Sequence, residues 1–302
     1  MATFSPVIVV TGANGLVGAA VCQALVARSA QVRAVVRRGG SAPALDGVTE
    51  HIGDFADERV ARDVTQGADA VVTTVHPMGS SREVQHRVGV EGTLVLARAA
   101  RDAGVALLAH VSTAGVYDLS AGVGDVSDGG ALLPEGSGDY ADTKNATDAA
   151  LTQVGGLTTV LVRPPAILGA GDTSVWNTLR PQAILGGERR ANPARTWSWV
   201  HVDDLAAFIA DVATGAVATA DDPERGPVAG RTTPVIVAAD PATWRDYLGT
   251  VTDALGVAPR WTDEPAWTGQ LLTDRARGWG WVPRVSLAQA MDELRRGLMT
   301  HG

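Results

Sequence analysis

The chain has 302 residues, 45% hydrophobic and 19% charged, with a formal net charge of −8, which suits a sizeable buried core and excludes a basic field for nucleic acid. Its single cysteine, Cys22, excludes an internal disulfide and a cysteine-rich metal site. No apolar run reaches membrane-spanning length and the start shows no charged segment leading into an apolar stretch, so a cytoplasmic protein with no membrane, nucleic-acid or metal partner is expected.

In chain order, residues 7–10 form a continuous apolar run, as in a strand covered on both faces. A glycine-punctuated turn follows, then an apolar-periodic helix over about 16–27. Further strands are predicted at 32–36, 48–52, 70–75, 107–112 and 159–162, with helices near 58–66, 83–103 and 140–154. Strands alternating with helices predict an α/β fold with a doubly wound parallel sheet. Beyond about residue 165 the pattern loosens, Pro and Gly rise, and all eight tryptophans appear. The division expected is a first domain over 1–165 and a smaller, mainly substrate-binding domain over 166–302. Segments near 196–215 and 232–240 are expected to return to the first domain.

The turn after the first strand reads Thr11-Gly12-Ala13-Asn14-Gly15-Leu16-Val17-Gly18. Gly12 permits a tight turn, Gly15 lets backbone approach a pyrophosphate, and Gly18 lets the helix pack on the strand. Asn14, Leu16 and Val17 belong to the same phosphate-facing loop, where the helix N-terminus offers free N–H groups. This is a Rossmann-type dinucleotide site. Where an acidic residue would read the 2′-OH of NAD, at the end of the second strand, the chain has Arg37-Arg38. Two guanidinium groups suit a 2′-phosphate, which favours NADP over NAD; two solvated surface arginines are the plain alternative. Asp54 and Phe55, after the third strand, are placed near the adenine, and Asp54 could equally cap the next helix.

Among 25 basic residues only Lys144 is a lysine, and Tyr140 stands four residues before it. On a helix the two share one face. A tyrosine beside an ammonium has its phenol pKa lowered and can exchange a proton with a carbonyl or alcohol oxygen. The fifth strand ends in Ser112-Thr113, where ligands bind in open α/β sheets, and either hydroxyl can polarise a carbonyl.

The glycine pattern, Gly53-Asp54, Ser112 to Tyr117, Tyr140-x-x-x-Lys144, Arg163-Pro164-Pro165 and His201-Val202-Asp203-Asp204-Leu205 together resemble the extended short-chain dehydrogenase/reductase family. The resemblance runs nearly the whole length, to a closing segment at 279–287. It implies Tyr140 as the acid–base, Lys144 also holding the nicotinamide ribose, Thr113 polarising the substrate and Ser112 beside it as a helper. It also implies Pro164, Pro165 and Ile167 near the nicotinamide, Thr74 and Val75 beside the cofactor, and His201 and Asp203 as structural ties between domains. A homodimer through the helices near 83–103 and 140–154 is implied likewise.

The chain departs from the family at three points. His76 stands in a segment where small residues are usual, and it could contact cofactor or substrate or be a satisfied loop histidine. Gly89 replaces an asparagine. Trp197 stands near the position of an arginine that grips nucleotide-sugar diphosphates, although Arg195 is close. With Trp176, it suggests a flat, apolar ligand rather than a diphosphate, against the alternative that both rings are core. The expectation is an NADP-dependent oxidoreductase acting on a carbonyl or alcohol of a largely apolar small molecule. The alternatives are a nucleotide-sugar epimerase or dehydratase with tightly bound NAD, and a non-catalytic NADP sensor.

Overall fold

A computed structural model describes residues 5–171 and 174–300. The first half alternates β1 (Val7–Thr11), α1 (Leu16–Val26), β2 (Gln31–Val36), β3 (Val48–Ile52), α2 (Glu58–Thr65) and β4 (Ala70–Thr73). It continues through α3 (Arg82–Gln85), a π-helical segment (His86–Gly92), α4 (Thr93–Asp102), β5 (Leu107–Val111), α5 (Asp139–Thr152) and β6 (Thr158–Arg163). The one long helix predicted over 83–103 is thus three pieces. Gly92 fits the wide turn closely: a Cβ there would lie 3.1 Å from both the Phe55 ring and Ala56.

The second half contributes β7 (Ala166–Leu168), α6 (Leu179–Leu185), β8 (Arg190–Ala191), β9 (Thr196–Trp197), β10 (Trp199–His201) and α7 (Val202–Ala213). Then come β11 (Thr232–Ile236), β12 (Ala242–Thr243), α8 (Trp244–Ala254), β13 (Arg260–Trp261), α9 (Asp274–Gly278) and α10 (Leu287–Thr300).

Seven strands form one sheet in the order β11-β6-β5-β4-β1-β2-β3, every pairing parallel. Alternating side chains feed two cores. Ile8 and Val10 pack with Val21 and Leu25 of α1 and with Leu205, Phe208 and Ile209 of α7. Val9 faces the other way, toward Ala61 and Val64 of α2, Leu96 of α4 and Leu151 of α5. Both faces being covered explains the near-continuous apolar runs of the strands. The strand order reverses between β1 and β4, so a ligand crevice opens at their C-terminal ends. In the second half, β11 joins the sheet beside β6, and α7 lies on its α1 face. The 196–201 strands instead belong to small two-stranded pairs, β9 with β12 and β10 with β7. A separate core of Leu168, Ile184, Trp197, Trp199, Tyr247 and Leu294 holds the C-terminal elements together. Among the described residues no helix is long and apolar enough to cross a membrane.

Candidate active site

The β1–α1 turn is shaped for close approach. Gly12 has φ +71°, and a Cβ there would fall 2.6 Å from the Thr74 hydroxyl and 2.9 Å from Val75. A Cβ on Gly18 would sit 2.0 Å from the Gly12 carbonyl oxygen. The N-cap of α1 is Gly15, which brings no side-chain cap, and the first turn carries no acidic residue. The orphan N–H groups of that helix end therefore stay available to an anion. This cradle fits a dinucleotide pyrophosphate. Thr74 donates to the Thr11 carbonyl at 2.8 Å, tying the segment after β4 to β1.

Arg37 and Arg38 follow β2, exposed, and neither guanidinium is engaged among the described residues. Their loop is held from β3: Glu50 accepts from the backbone N–H groups of Gly40, Ser41 and Ala42 at 2.8, 3.0 and 3.0 Å. Asp54 accepts from Ala56 N at 2.9 Å, and the cap of α2 is Asp57, bonded to Arg59 N and Val60 N. The helix-cap alternative for Asp54 is therefore overturned. Phe55 is buried against Gly92. Pro164 accepts from Ala114 N at 2.8 Å, Pro165 is half-buried, and Ile167 packs partly into the α1–α7 core.

Of the residues expected at the reaction centre, Tyr140 on α5 stands beside Thr113: a Cβ on Gly115 would lie 3.3 Å from Thr113 Oγ1 and 3.8 Å from Tyr140 Cε1, and Thr113 Oγ1 accepts from Gly115 N at 3.0 Å. Lys144, one turn on and 3% exposed, donates from Nζ to the Val111 carbonyl at 2.8 Å. Burial pushes its pKa down to about 8, with Asp148 opposing. The Tyr140 phenol is raised above its ordinary value by burial, with the Thr113 hydroxyl opposing. The lowering expected from the neighbouring ammonium is not what this arrangement produces, because Lys144 is directed at strand β5.

Ser112 does not share the Thr113 side. It is buried and donates to Asp148 Oδ2 at 2.9 Å, away from the Thr113–Tyr140 contact. The same carboxylate oxygen accepts from Arg163 Nε and Nη2 at 3.1 and 3.0 Å, and Arg163 Nη1 donates to Tyr117 Oη at 2.8 Å. Asp148 and Arg163 were not among the residues singled out for the site. Tyr140, Lys144 and Asp148 recur every four residues along one helical face, and that spacing was the available signal.

Of the two tryptophans weighed for a ligand face, one resolves to the core. Trp197 is 3% exposed and stacks on Tyr247 at 4.4 Å, with Trp176 edge-on to both at 5.6 and 5.1 Å. Trp197 is thus a core ring, with no face left for a ligand; Trp176 remains half-buried, beneath Arg180 at 5.8 Å. His76 is edge-on to Tyr140 at 4.9 Å, with Nε2 at 3.0 Å from Gln85 Oε1. His201 accepts from Asp203 N at Nδ1 and reaches Glu293 of α10 at 2.8 Å through Nε2, which joins α7 to α10.

A seven-stranded parallel sheet with a glycine cradle at its switch point defines a Rossmann-type dinucleotide-binding protein. The model of the NAD dependent epimerase/dehydratase family matches residues 8–223, and the chain belongs to that family. It is 36% identical over 171 residues to sterol demethylase protein B of Methylococcus capsulatus, covering 54% of this chain and 52% of that protein. It is 33% identical over 172 residues to the 4-hydroxy-2-methyl-3-oxo-4-farnesyl-3,4-dihydroquinoline-1-oxide ketoreductase of Stigmatella aurantiaca, covering 55% and 51%. The match thus spans about half the length of these curated relatives. An epimerase structure from Methanothermobacter thermautotrophicus superposes with a TM-score of 0.77 at 17% identity, covering 98% of this chain and 93% of that one.

Proposed function

We propose that the protein is an NADP-dependent oxidoreductase that interconverts a carbonyl and an alcohol on a largely apolar small molecule. The observation that carries this reading is Tyr140 set beside Thr113 across Gly115, with Lys144 one turn behind it at the C-terminal end of β5. In the reducing direction Tyr140 gives its phenolic proton to the carbonyl oxygen. Thr113 polarises that oxygen by hydrogen bonding. Lys144 anchors α5 at the Val111 carbonyl and, with Tyr140, holds the nicotinamide ribose. Gly12, Asn14, Gly15, Leu16, Val17 and Gly18 seat the pyrophosphate, and Arg37 and Arg38 face the 2′-phosphate. The bound nicotinamide supplies the hydride. Because its raised phenol is protonated at neutral pH, Tyr140 is ready to act as the acid.

Support for an apolar substrate comes from the two half-length relatives, whose names specify a sterol and a farnesyl quinoline. A pair of subunits meeting through the α4 and α5 faces is part of the same reading, and sedimentation of the purified chain tests it. The deciding experiment is calorimetric titration with NADPH and with NADH, followed by a carbonyl panel scored by NADPH oxidation. Binding of NADPH at least about tenfold tighter, ~1.4 kcal/mol, supports the role of Arg37 and Arg38. Equal or tighter NADH binding overturns NADP, and absence of turnover on ketones overturns the reductase.

A further inference from the structure

The recess behind the reaction centre holds a histidine that the mechanism does not use. His76 follows β4 and stands edge-on to the Tyr140 ring at 4.9 Å. Its Nε2 lies 3.0 Å from Gln85 Oε1, while Gln85 Nε2 donates to the Ser80 carbonyl at 2.8 Å. A carbonyl only accepts, so the Gln85 amide is oriented with its oxygen toward the ring. That oxygen, which also accepts from Thr143 Oγ1 at 3.3 Å, can only accept from the ring, which places the imidazole proton on Nε2 and leaves Nδ1 with its lone pair. The Nδ1 edge lies over Gly89 in the π-helical segment. A Cβ at Gly89 would come within 3.4 Å of Nδ1 and 3.9 Å of the Thr147 hydroxyl on α5. A larger side chain at that position would fill the space the ring edge occupies.

The geometry points to His76 as a positioning residue for the Tyr140–Lys144 pair, an imidazole locked by Gln85 as the Nε2–H tautomer with its Nδ1 acceptor turned into the Gly89 recess. The groups facing it are Tyr140 and Thr147 from α5 and Gln85 from α3, and the Lys144 ammonium and His110 act on it electrostatically. Burial and the Lys144 ammonium push its pKa down to about 4, against the Gln85 hydrogen bond. His110 is itself buried, bonded at Nδ1 to Thr73 at 2.7 Å, with Nε2 unpartnered. A neutral ring here buttresses Tyr140. A charged ring would put a second cation beside Lys144.

This inference rests on Tyr140 and Lys144 being the reaction centre, and its test needs neither cofactor nor substrate, so it fails separately from the proposed activity. Lys144 is the only lysine, so carbon-labelled lysine gives a single resonance whose titration reports that residue alone. Nitrogen-labelled histidine in the unliganded wild type should show His76 as neutral Nε2–H, unprotonated down to about pH 5. The Nδ1–H tautomer, or a protonated ring at neutral pH, overturns the proposal. In His76→Leu the Lys144 midpoint should fall by about half a unit or more, as an apolar side chain replaces a polar ring near the ammonium. An unchanged or raised midpoint overturns it. Should His76→Leu not fold, Gln85→Leu releases the tautomer lock, and the His76 signal should then show both tautomers; a pure Nε2–H signal in that variant also overturns the proposal.

Discussion

The Lys144 ammonium donates to the Val111 carbonyl at 2.8 Å, so the helix that carries the acid–base pair is tied to the strand end that leads into Thr113. Holding a lysine there has a cost. Its pKa is depressed from the ordinary value to about 8 by burial, so the unfolded chain binds that proton more firmly than the folded one. The associated stability is fully present above the unfolded pKa near 10.5 and is lost as pH falls through about 8. Lys144→Met should therefore fold, be more stable than wild type at pH 7 by roughly 1–2 kcal/mol, and lose that gain near pH 10.5. Urea unfolding at the two pH values checks this; a less stable variant at pH 7 contradicts it. Turnover should fall by about 10²-fold or more in the same variant.

Tyr140→Phe removes the one phenolic proton at the reaction centre while keeping the ring against His76. Turnover should drop by roughly 10²–10⁴-fold, with NADPH affinity weakened by about tenfold at most and thermal stability nearly unchanged. Calorimetry alongside a steady-state assay separates the two. A variant keeping more than about a tenth of wild-type turnover would remove Tyr140 from its role.

All three tyrosines are raised by burial: Tyr117 and Tyr140 above the usual phenol, and Tyr247 to about 12. Each raised phenol contributes stability that is complete below the unfolded pKa near 10 and disappears as pH rises through the folded value. Tyr247 alone accounts for about 2–3 kcal/mol over that window. The expected outcome is cooperative alkaline unfolding between about pH 10 and 12, with phenolate absorbance and loss of helix coinciding. Phenolate appearing at ordinary pH with the fold intact would contradict it.

Asp148→Asn would leave the buried Arg163 guanidinium without its counter-charge and weaken the Ser112 hydrogen bond. A loss of about 3–5 kcal/mol in urea unfolding is expected. Asp148 also opposes the depression of Lys144, so the single lysine resonance should titrate lower than in wild type. A Lys144 midpoint that does not move would show that the carboxylate acts on Arg163 alone.

Much of the scaffold was legible because its signals are local. Apolar runs marked β1 and β5, and Gly12 and Gly18 marked the turn because only a missing Cβ allows φ +71° in one and a 2.0 Å approach in the other. The predicted helix over 140–154 appears as Asp139–Thr152. The helix over 83–103 was misread as continuous, since apolar periodicity does not distinguish an α-turn from the wider turn around Gly89. Trp197 was left between a ligand face and the core for a different reason: aromatic composition does not say which ring finds a partner, and Trp197 found Tyr247, fifty residues on.

The sequence by itself determined the alternating α/β order, the glycine turn after β1 and the alignment of Tyr140 and Lys144, because helical pitch and glycine stereochemistry act within a few residues. Only the tertiary structure decided that Thr113 meets Tyr140 while Ser112 turns to Asp148, and that His76 lies over Gly89. Adjacent side chains on an extended segment point to opposite sides, so which hydroxyl reaches the crevice depends on what packs on each face. Those partners come from helices and loops distant in the chain.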